Sequence, residues 1–397
     1  MEKLLGRKQM TTVLFLLFLF VFSVMNLEKE LPVLEETVQV WQEQGGTMGE
    51  LVTQVNAAID ENVIGKYAFI DAYGYIQLVL GKEEEANFEV VKDREGKLHY
   101  TYFTDSINDV SAEAERVKAL AEAVEDEDTR LLYVMPPDKY IQGHTQFSKG
   151  IPYHMANETA DDFLRRLDEY GIDSIDLRDY LQESGIAMSD VFYNTDHHWR
   201  IETAFWAAGT FSDCLEERYG EALDPDGYYK NPEHYNFVTY EKIFLGSMGR
   251  KTGRFYTQPD DFTLVYPKFA TNYVYENSIS GDLQFTGRFE EALLATPVIR
   301  QSDTPFDVDL YGSYLYGNPG FGHIENLERQ EGISICLIKD SFAVPFAAFT
   351  SLRCKKVDMI DPRYFEGDYV ETIQNGNYDY VVIMFSPQDL VEEFFAF

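Results

Sequence analysis

The motif YNTDHHWRIETAFWAA, at residues 193–208, carries the clearest chemical potential in this sequence. Asp196 stands two positions before His198, just ahead of a predicted helix. An aspartate at that spacing on a tight loop can accept a hydrogen bond from the ring Nδ1–H and leave Nε2 free to act as a base. A second interpretation stays open from these residues alone: Thr195 or Asp196 caps the helix, and both histidines are solvated.

Ser341, in the segment LIKDSFAVPF, is the candidate nucleophile for such a base. It falls where a predicted buried strand ends and a predicted helix begins. In open α/β sheets, sites lie at the carboxyl ends of the strands, and the free N–H groups of a helix start can stabilise an oxyanion. A serine here can also simply cap the helix, so the catalytic interpretation depends on the two motifs together.

The same motif contains residue types that bind metals, but we do not expect it to hold an ion. A metal site needs at least three convergent ligands, whereas neighbouring side chains point in different directions. The sequence has no HExxH or CxxC motif. We therefore expect neither a metal ion nor another cofactor. Three cysteines, far apart and odd in number, predict buried thiols and no disulfide framework, with one bridge as the alternative: Cys214, Cys336 and Cys354.

Two further segments contribute candidates for an oxyanion or substrate contact. Gly246 and Ser247 lie in FLGSMGRKTG, a flexible loop that could approach the site, although an ordinary turn is the simpler interpretation. Arg363, in IDPRYF, follows a predicted strand and could face the same edge of the sheet. For Arg363 the alternative is an ion pair with a surface carboxylate.

The elements that must position these residues alternate between strands and helices. Short apolar runs such as TRLLYVM, GISICLI and YDYVVIMF predict buried strands, and the segments between them have the apolar spacing of helices. This alternation predicts an α/β fold with an open parallel sheet and helices on both faces. Residues 67–81 are predicted to form strands and turns. Residues 221–330, rich in Tyr, Phe, Asn and Gly, predict a β-rich insertion.

The amino terminus has the pattern of an export signal. Basic residues precede an apolar run from Thr11 to about Leu27, and the basic end of such a run stays in the cytoplasm. Because a small-residue cleavage site is lacking, we predict an uncleaved, single-pass membrane anchor over residues 1–30, with a cleaved signal and secretion as the alternative. A helical stalk is predicted at residues 31–60 and the main domain at residues 61–397, both outside the cytoplasm.

Composition excludes one class of partner. The formal net charge is −35, and hydrophobic residues make up 45% of the 397 positions. That hydrophobic content is typical of a folded globular chain. An acidic surface of this strength repels the phosphate backbone, so we do not expect nucleic-acid binding.

The segment TDHHW, together with the later KDSF, resembles the DHHW-protein family. That family is similar to the extracytoplasmic alginate O-acetyltransferases, and both are placed in the SGNH-hydrolase-like superfamily. The serine motif follows the Asp–His motif, as in the alginate enzymes, whose fold is regarded as a circular permutation. The resemblance covers roughly residues 60–397 by the order of motifs. It implies an SGNH-hydrolase-like open sheet.

By position, the resemblance assigns Ser341 as nucleophile, His198 as base and Asp196 as the orienting acid. His197 fills a position that varies in the acetyltransferases and receives no role. The sequence departs from the superfamily pattern at Lys339, which stands where a small residue is usual.

The resemblance implies an extracytoplasmic O-acetyltransferase or acetylesterase that acts on cell-surface or exported polysaccharide through an acetyl-serine intermediate. Transfer is favoured over hydrolysis. A multipass membrane-bound O-acyltransferase is the implied acetyl supplier, because acetyl-CoA is not expected outside the cytoplasm. The alternative is a non-catalytic carbohydrate-binding or scaffold subunit of a polysaccharide modification or export complex.

Overall fold

The computed structural model describes residues 2–124, 129–281, 283–296, 299, 306 and 308–397. The helices are α1 Glu2–Gln44, α2 Met48–Asn62, α3 Lys66–Val79, α4 Ser111–Val124, α5 Ala156–Glu169, α6 Leu177–Tyr180, α7 Ile201–Tyr219, α8 Ser247–Thr252, α9 Phe289–Ala292, α10 Ala343–Thr350 and α11 Tyr369–Gly376. The strands are β1 Glu84–Glu85, β2 Val90–Lys92, β3 Leu98–Tyr100, β4 Arg130–Met135, β5 Asp173–Asp176, β6 Tyr235–Phe244, β7 Asp260–Pro267, β8 Tyr273–Asn277, β9 Gln284–Gly287, β10 Phe321–Asn326, β11 Ser334–Lys339, β12 Lys356–Ile360 and β13 Tyr380–Met384.

The chain divides into two compact units, Met1–Ile76 and Gln77–Phe397. The first unit is helical. Within α1, the segment Lys8–Glu43 is long and apolar enough to cross a membrane by length and composition, with a mean hydropathy of 2.3 in its most apolar window. The predicted limits of anchor and stalk, near residues 30 and 60, stay predictions.

The prediction of strands for the aromatic segment YAFIDAYGYIQLVLG is wrong, because this segment lies almost entirely in α3. Within the first unit, the ring of Phe69 packs edge-on against that of Phe22 in α1, with centroids 5.7 Å apart. Buried positions recur every three residues, at Asp71, Gly74 and Gln77. That spacing belongs to a helix. Aromatic residues favour strands only where the surrounding surface suits a pleat, and here the packing overrides that preference.

An eight-stranded sheet forms the centre of the second unit, with the strand order β5-β4-β13-β11-β12-β10-β8-β9. The first five of these strands are parallel, as predicted. The last three continue the sheet in antiparallel pairing. They come from residues 221–330, which also supply the separate hairpin β6–β7. Positions 282, 297–298, 300–305 and 307 of that segment lie outside the described residues.

Helices cover both faces of the sheet, as predicted. On one face, α4, α5 and α11 pack on strand residues such as Tyr133, Ile338 and Ile383. On the other face, α7 and α10 pack on the alternate residues, such as Val134 and Leu337. Burial on both faces explains why these strands read as nearly continuous apolar runs. The thiols are free and buried, as predicted, at Cys214, Cys336 and Cys354.

The carboxyl ends of the parallel strands bring polar residues to one edge of the sheet. After β4 come Pro136 and Pro137, which cannot donate to a sheet ladder. After β11 come Asp340 and Ser341, and after β12 comes Asp361. The candidate nucleophile thus stands at the edge where open α/β sheets place their sites.

Candidate active site

Ser341, His198 and Asp196 lie side by side at this edge. The Ser341 Oγ is 2.6 Å from the Nε2 of His198. The Nδ1 of the same ring is 2.5 Å from the Oδ1 of Asp196. The three residues are 6%, 7% and 2% exposed, respectively. A hydroxyl, an imidazole and a carboxylate in this order allow the histidine to take the serine proton while the carboxylate fixes the ring.

Neither helix that follows the two motifs is capped by the candidate residues. Helix α7 has Arg200 at its N-cap, and α10 has Phe342, in both cases without a side-chain capping bond. The carboxylate of Asp196 instead accepts the backbone N–H of His198 at 3.0 Å and that of Ser247 at 2.6 Å. Its oxygens are therefore used to orient the histidine and to bind the start of α8.

Two buried side chains, those of Asp260 and Lys139, bind the backbone of the loop Asn194–Asp196. Asp260 accepts the backbone N–H groups of Asn194 and Thr195, each at 2.8 Å, and the hydroxyl of Thr195 at 2.6 Å. The Nζ of Lys139 donates to the carbonyl of Asp196 at 2.5 Å and to that of Asn194 at 3.3 Å. Buried backbone groups need such partners, and this loop finds them in side chains from distant elements.

Gly246 and Ser247 lie in contact with the side chain of Asp196. A β-carbon added at Gly246 would stand 2.2 Å from the Cβ of Asp196 and 2.4 Å from its Oδ2, so the loop can come this close only with glycine. The Ser247 N–H is donated to the acid, and its Oγ is 3.0 Å from the Nδ1 of His197. The loop reaches the site, but this N–H serves the carboxylate and is not free for an oxyanion.

Aromatic rings fix the imidazole of His198. The ring of Tyr311 stacks on it with centroids 3.8 Å apart and an interplanar angle of 10°. The ring of Phe342 packs against the imidazole in a tilted arrangement, with centroids 5.3 Å apart. The buried Trp199 directs its Nε1–H to the Tyr311 hydroxyl and the Phe342 carbonyl, each at 3.1 Å. The tryptophan of the motif thus supports the residues that hold the base.

The charges of the site follow from these contacts. Burial on its own raises the pKa of Asp196, but the neighbouring His198 and His197, together with the hydrogen bonds, hold that pKa well below its usual value. Asp196 is therefore ionised at neutral pH and can stabilise an imidazolium beside it. Desolvation, followed by the charge of His198, lowers the pKa of His197 to about 3 although its side chain is 31% exposed, so this second ring is neutral at neutral pH.

Asp340 clamps the backbone around the candidate nucleophile. Its Oδ1 accepts the N–H of Phe342 at 2.8 Å, and its Oδ2 accepts the N–H of Ser386, just after β13, at 2.5 Å. Burial raises the pKa of Asp340 and, together with the charge of Asp340, that of the adjacent Asp389. Two carboxyl groups in contact cannot both ionise readily, so the two groups titrate as a pair.

Lys339 and Arg363 both bind Asp361. The Nζ of Lys339 is 3.0 Å from Asp361 Oδ2 and 2.9 Å from Asn318 Oδ1. Arg363 forks onto the same carboxylate, with Nη2 to Oδ2 at 2.7 Å and Nε to Oδ1 at 2.9 Å. The lysine that departs from the superfamily pattern is therefore neutralised inside the protein. The partner of Arg363 is a buried carboxylate, and the arginine side chain remains 21% exposed.

The sequence and the fold were compared with known proteins. Residues 99–236 match the family model for the SGNH hydrolase-like domain of the acetyltransferase AlgX. Bacillus cereus PatB1 superposes with a TM-score of 0.62 at 19% identity, covering 78% of this chain and 99% of PatB1. A DHHW family protein from Eubacterium siraeum DSM 15702 gives 0.57 at 17% identity, covering 76% of this chain and 91% of that protein. No curated protein sequence matches the chain.

The chain has an SGNH hydrolase-like fold. The resemblance stated from the sequence is confirmed, both for the alginate acetyltransferase domain and for the DHHW family structure. The matched stretch of sequence contains Asp196 and His198 and ends before Ser341. At 17–19% identity, the structural likeness speaks for the fold, and the chemical roles of the three residues stay predictions.

In this SGNH hydrolase-like domain, Asp196, His197 and His198 bring possible metal-ligand atoms within 4.8 Å of one another. Most of these atoms already have hydrogen-bond partners. The oxygens of Asp196 accept bonds from His198 and Ser247, and the Nε2 of His198 faces Ser341. A cation would have to displace these partners, so the donor set fits a proton-transfer chain better than a metal centre.

Sequence reasoning missed Lys139, Asp260 and Tyr311. Lys139 had a usable signal, because it follows the proline-terminated strand β4 and so falls at the edge that carries sites. Asp260 opens β7 and Tyr311 lies in a short 3₁₀ turn. Their contacts with the DHHW loop, residues 194–199, span more than 60 positions of the chain, and no local sequence pattern predicts them.

Proposed function

We propose that this protein is an O-acetyltransferase, with acetylesterase activity as the hydrolytic variant, acting on cell-surface or exported polysaccharide. The observation that carries the proposal is the 2.6 Å contact between Ser341 Oγ and His198 Nε2, with Asp196 2.5 Å from the other ring nitrogen. The family match to the acetyltransferase AlgX supports acetyl as the group transferred.

In the first step, the Ser341 oxygen attacks the carbonyl carbon of an acetyl ester while His198 Nε2 takes the hydroxyl proton. The bond to the leaving alcohol then breaks, and His198 returns the proton to that alcohol, leaving an acetyl-serine. In the second step, a sugar hydroxyl gives its proton to His198 and attacks the acetyl carbon. The ester bond to Ser341 breaks, and the serine recovers a proton. Asp196 stays ionised throughout.

Burial of the reacting groups supports transfer over hydrolysis. The side chains of His198 and Asp196 are only 8% and 4% exposed, and Ser341 is 6% exposed. A site that keeps water away protects a covalent ester until an acceptor hydroxyl fills the space. Water resolves the same intermediate where the acceptor is missing.

The apolar part of α1 supports a membrane location. We propose that it anchors the chain once in the cell membrane and that the second unit works outside the cytoplasm. An acetyl donor must then come across the membrane, and a membrane-bound O-acyltransferase is the partner that would supply it. This arrangement rests on the basic flank of the helix and on the SGNH hydrolase-like match.

Intact-mass measurement tests the nucleophile. The full-length protein in detergent is incubated with p-nitrophenyl acetate, and we expect an acetyl adduct in the wild type that is lost in Ser341→Ala. Ser334→Ala is the matched control, since Ser334 begins the same strand at its opposite end and should leave the adduct intact. An adduct that persists in Ser341→Ala would refute the assignment. No adduct and no turnover with several esters would favour the carbohydrate-binding or scaffold alternative.

A further inference from the structure

Lys139 is a buried lysine placed against the backbone of the candidate acid. It follows Pro136, Pro137 and Asp138 at the end of β4 and is 4% exposed. Its Nζ reaches the carbonyl oxygen of Asp196 at 2.5 Å. Nothing in the proposed chemistry uses this group, because it contacts the main chain and none of the reacting atoms.

We propose that Lys139 is the positioning residue that locks the loop Asn194–Asp196 and so holds the acid against the base. This inference rests on the proposed function of Asp196 and His198. The ammonium donates to the carbonyls on both sides of Thr195, at 3.3 Å and 2.5 Å. The Asn194 carbonyl also accepts the N–H of Leu98 at 2.9 Å, so the contact with the Asp196 carbonyl is the one that depends on Lys139.

The other two carbonyls of the loop have backbone partners, whereas the Asp196 carbonyl accepts only from Lys139 among the described hydrogen bonds. Asp260 takes the N–H groups of Asn194 and Thr195. The carbonyl of Thr195 accepts the N–H of Gly249 at 2.9 Å. Lys139 completes the set, and without it a buried carbonyl beside the acid would lose its partner.

The cost of burying this ammonium indicates that its donors are needed. Burial lowers the pKa of Lys139 to about 7, against the opposing charges of Asp260, Asp196 and Asp93. An apolar side chain of similar length would fill the space without that cost. None of the described ion pairs within 4.0 Å involves Lys139, and its printed hydrogen bonds both go to backbone carbonyls.

Lys139→Met tests the role, with Lys97→Met as the matched control. Lys97 is also buried, at 9% exposure, and donates to a backbone carbonyl, that of Ser189, at 2.7 Å. Ser189 is outside the locked loop. Using the full-length protein in detergent and p-nitrophenyl acetate, we expect Lys139→Met to lower kcat by about 100-fold with KM nearly unchanged, because an error of about 1 Å in a reacting group has that effect. Lys97→Met should stay within about threefold of wild type.

Hydrogen exchange gives a readout that does not need turnover. The amides of residues 194–198 should exchange faster in Lys139→Met and stay unchanged in Lys97→Met. Lys139→Gln, which keeps an NH₂ donor, serves if the methionine variant does not fold, and should show a smaller loss of kcat. A folded Lys139 variant with wild-type kcat and wild-type exchange would overturn the proposal while leaving the proposed function standing. Faster loop exchange in a protein whose wild type never acetylates Ser341 would uphold the locking role and refute the function.

Discussion

The substitution Gly246→Ala tests the close approach of the Gly246 backbone to Asp196. The new β-carbon would lie 2.2 Å from the Cβ of Asp196 and 2.6 Å from its Cα. Carbon atoms pack at about 3.5–4.0 Å, so the α8 loop and the acid must move apart by roughly 1 Å or more. That movement breaks the 2.6 Å bond from Ser247 N–H to Asp196 Oδ2 and rotates the carboxylate away from the ring.

We expect kcat for ester hydrolysis to fall by about 100-fold, since displacement of a catalytic group by about 1 Å has an effect of that size. KM should change little, because the contact involves no substrate. The measurement is steady-state hydrolysis of p-nitrophenyl acetate by the full-length protein in detergent, with thermal unfolding as a check on the fold.

Gly312→Ala is the matched control for this experiment. A β-carbon at Gly312 would have its nearest neighbour, a Gly317 Cα, at an ordinary 3.7 Å, so this variant should keep wild-type kcat. A folded Gly246→Ala protein with kcat within about threefold of wild type would refute the claim that the loop sets the position of the acid. A raised KM with unchanged kcat would contradict it too, and would assign the loop to substrate binding.

Two further predictions concern pH and the base. Burial lowers the pKa of His99, which is hydrogen-bonded to Asp93, from 6.5 to about 4. Between pH 6.5 and pH 4 the unfolded chain therefore protonates this histidine and the folded chain does not. The free energy of unfolding falls as the pH falls through this range. In urea unfolding, the stability of wild type relative to His99→Gln should drop by about 3 kcal/mol from pH 7 to pH 4, and parallel curves would contradict this. Tyr311→Phe should keep kcat for p-nitrophenyl acetate within about threefold, because the ring still stacks on the imidazole. The free energy of unfolding in urea should fall by about 1 kcal/mol, because the hydroxyl loses its hydrogen bonds with Trp199 and Phe342. A large loss of kcat would show that the hydroxyl acts in the reaction.

Local sequence patterns carried the parts of the fold that are set by local physics. The apolar runs of β4, β11 and β13 predict strands because a buried parallel strand has no polar face to show. The spacing of Asp196 and His198 allows their pairing, and the later serine motif favoured this interpretation over a helix cap. The strand-to-helix transition at Ser341 predicts its place at the sheet edge. These three inferences required no knowledge of long-range packing.

Long-range packing decided what the sequence could not predict. The aromatic residues of α3 have strand-like preferences, yet the segment is helical and its Phe69 packs on Phe22 of α1. The antiparallel strands β8 to β10 join the sheet through pairing of β10 with β12, a choice that no local pattern encodes. Lys139 and Asp260 reach the DHHW loop from elements 57 and 65 positions away. The position of Lys139 after β4 indicates the edge of the sheet, but the burial and the partners of both residues follow only from the fold.

The order of strands has a consequence for biosynthesis. β13 is the last strand in chain order among the described residues, yet it lies between β4 and β11 in the middle of the sheet. A growing chain that has not reached Tyr380 holds two unjoined sheet fragments with open edges, and pairings of such sequence separation form slowly. Because β11, which leads to Ser341, pairs with β13, we expect the His198–Ser341 contact, which spans 143 positions, to form only after β13 has joined the sheet. We therefore predict that chains truncated before Tyr380 do not bring Ser341 against His198.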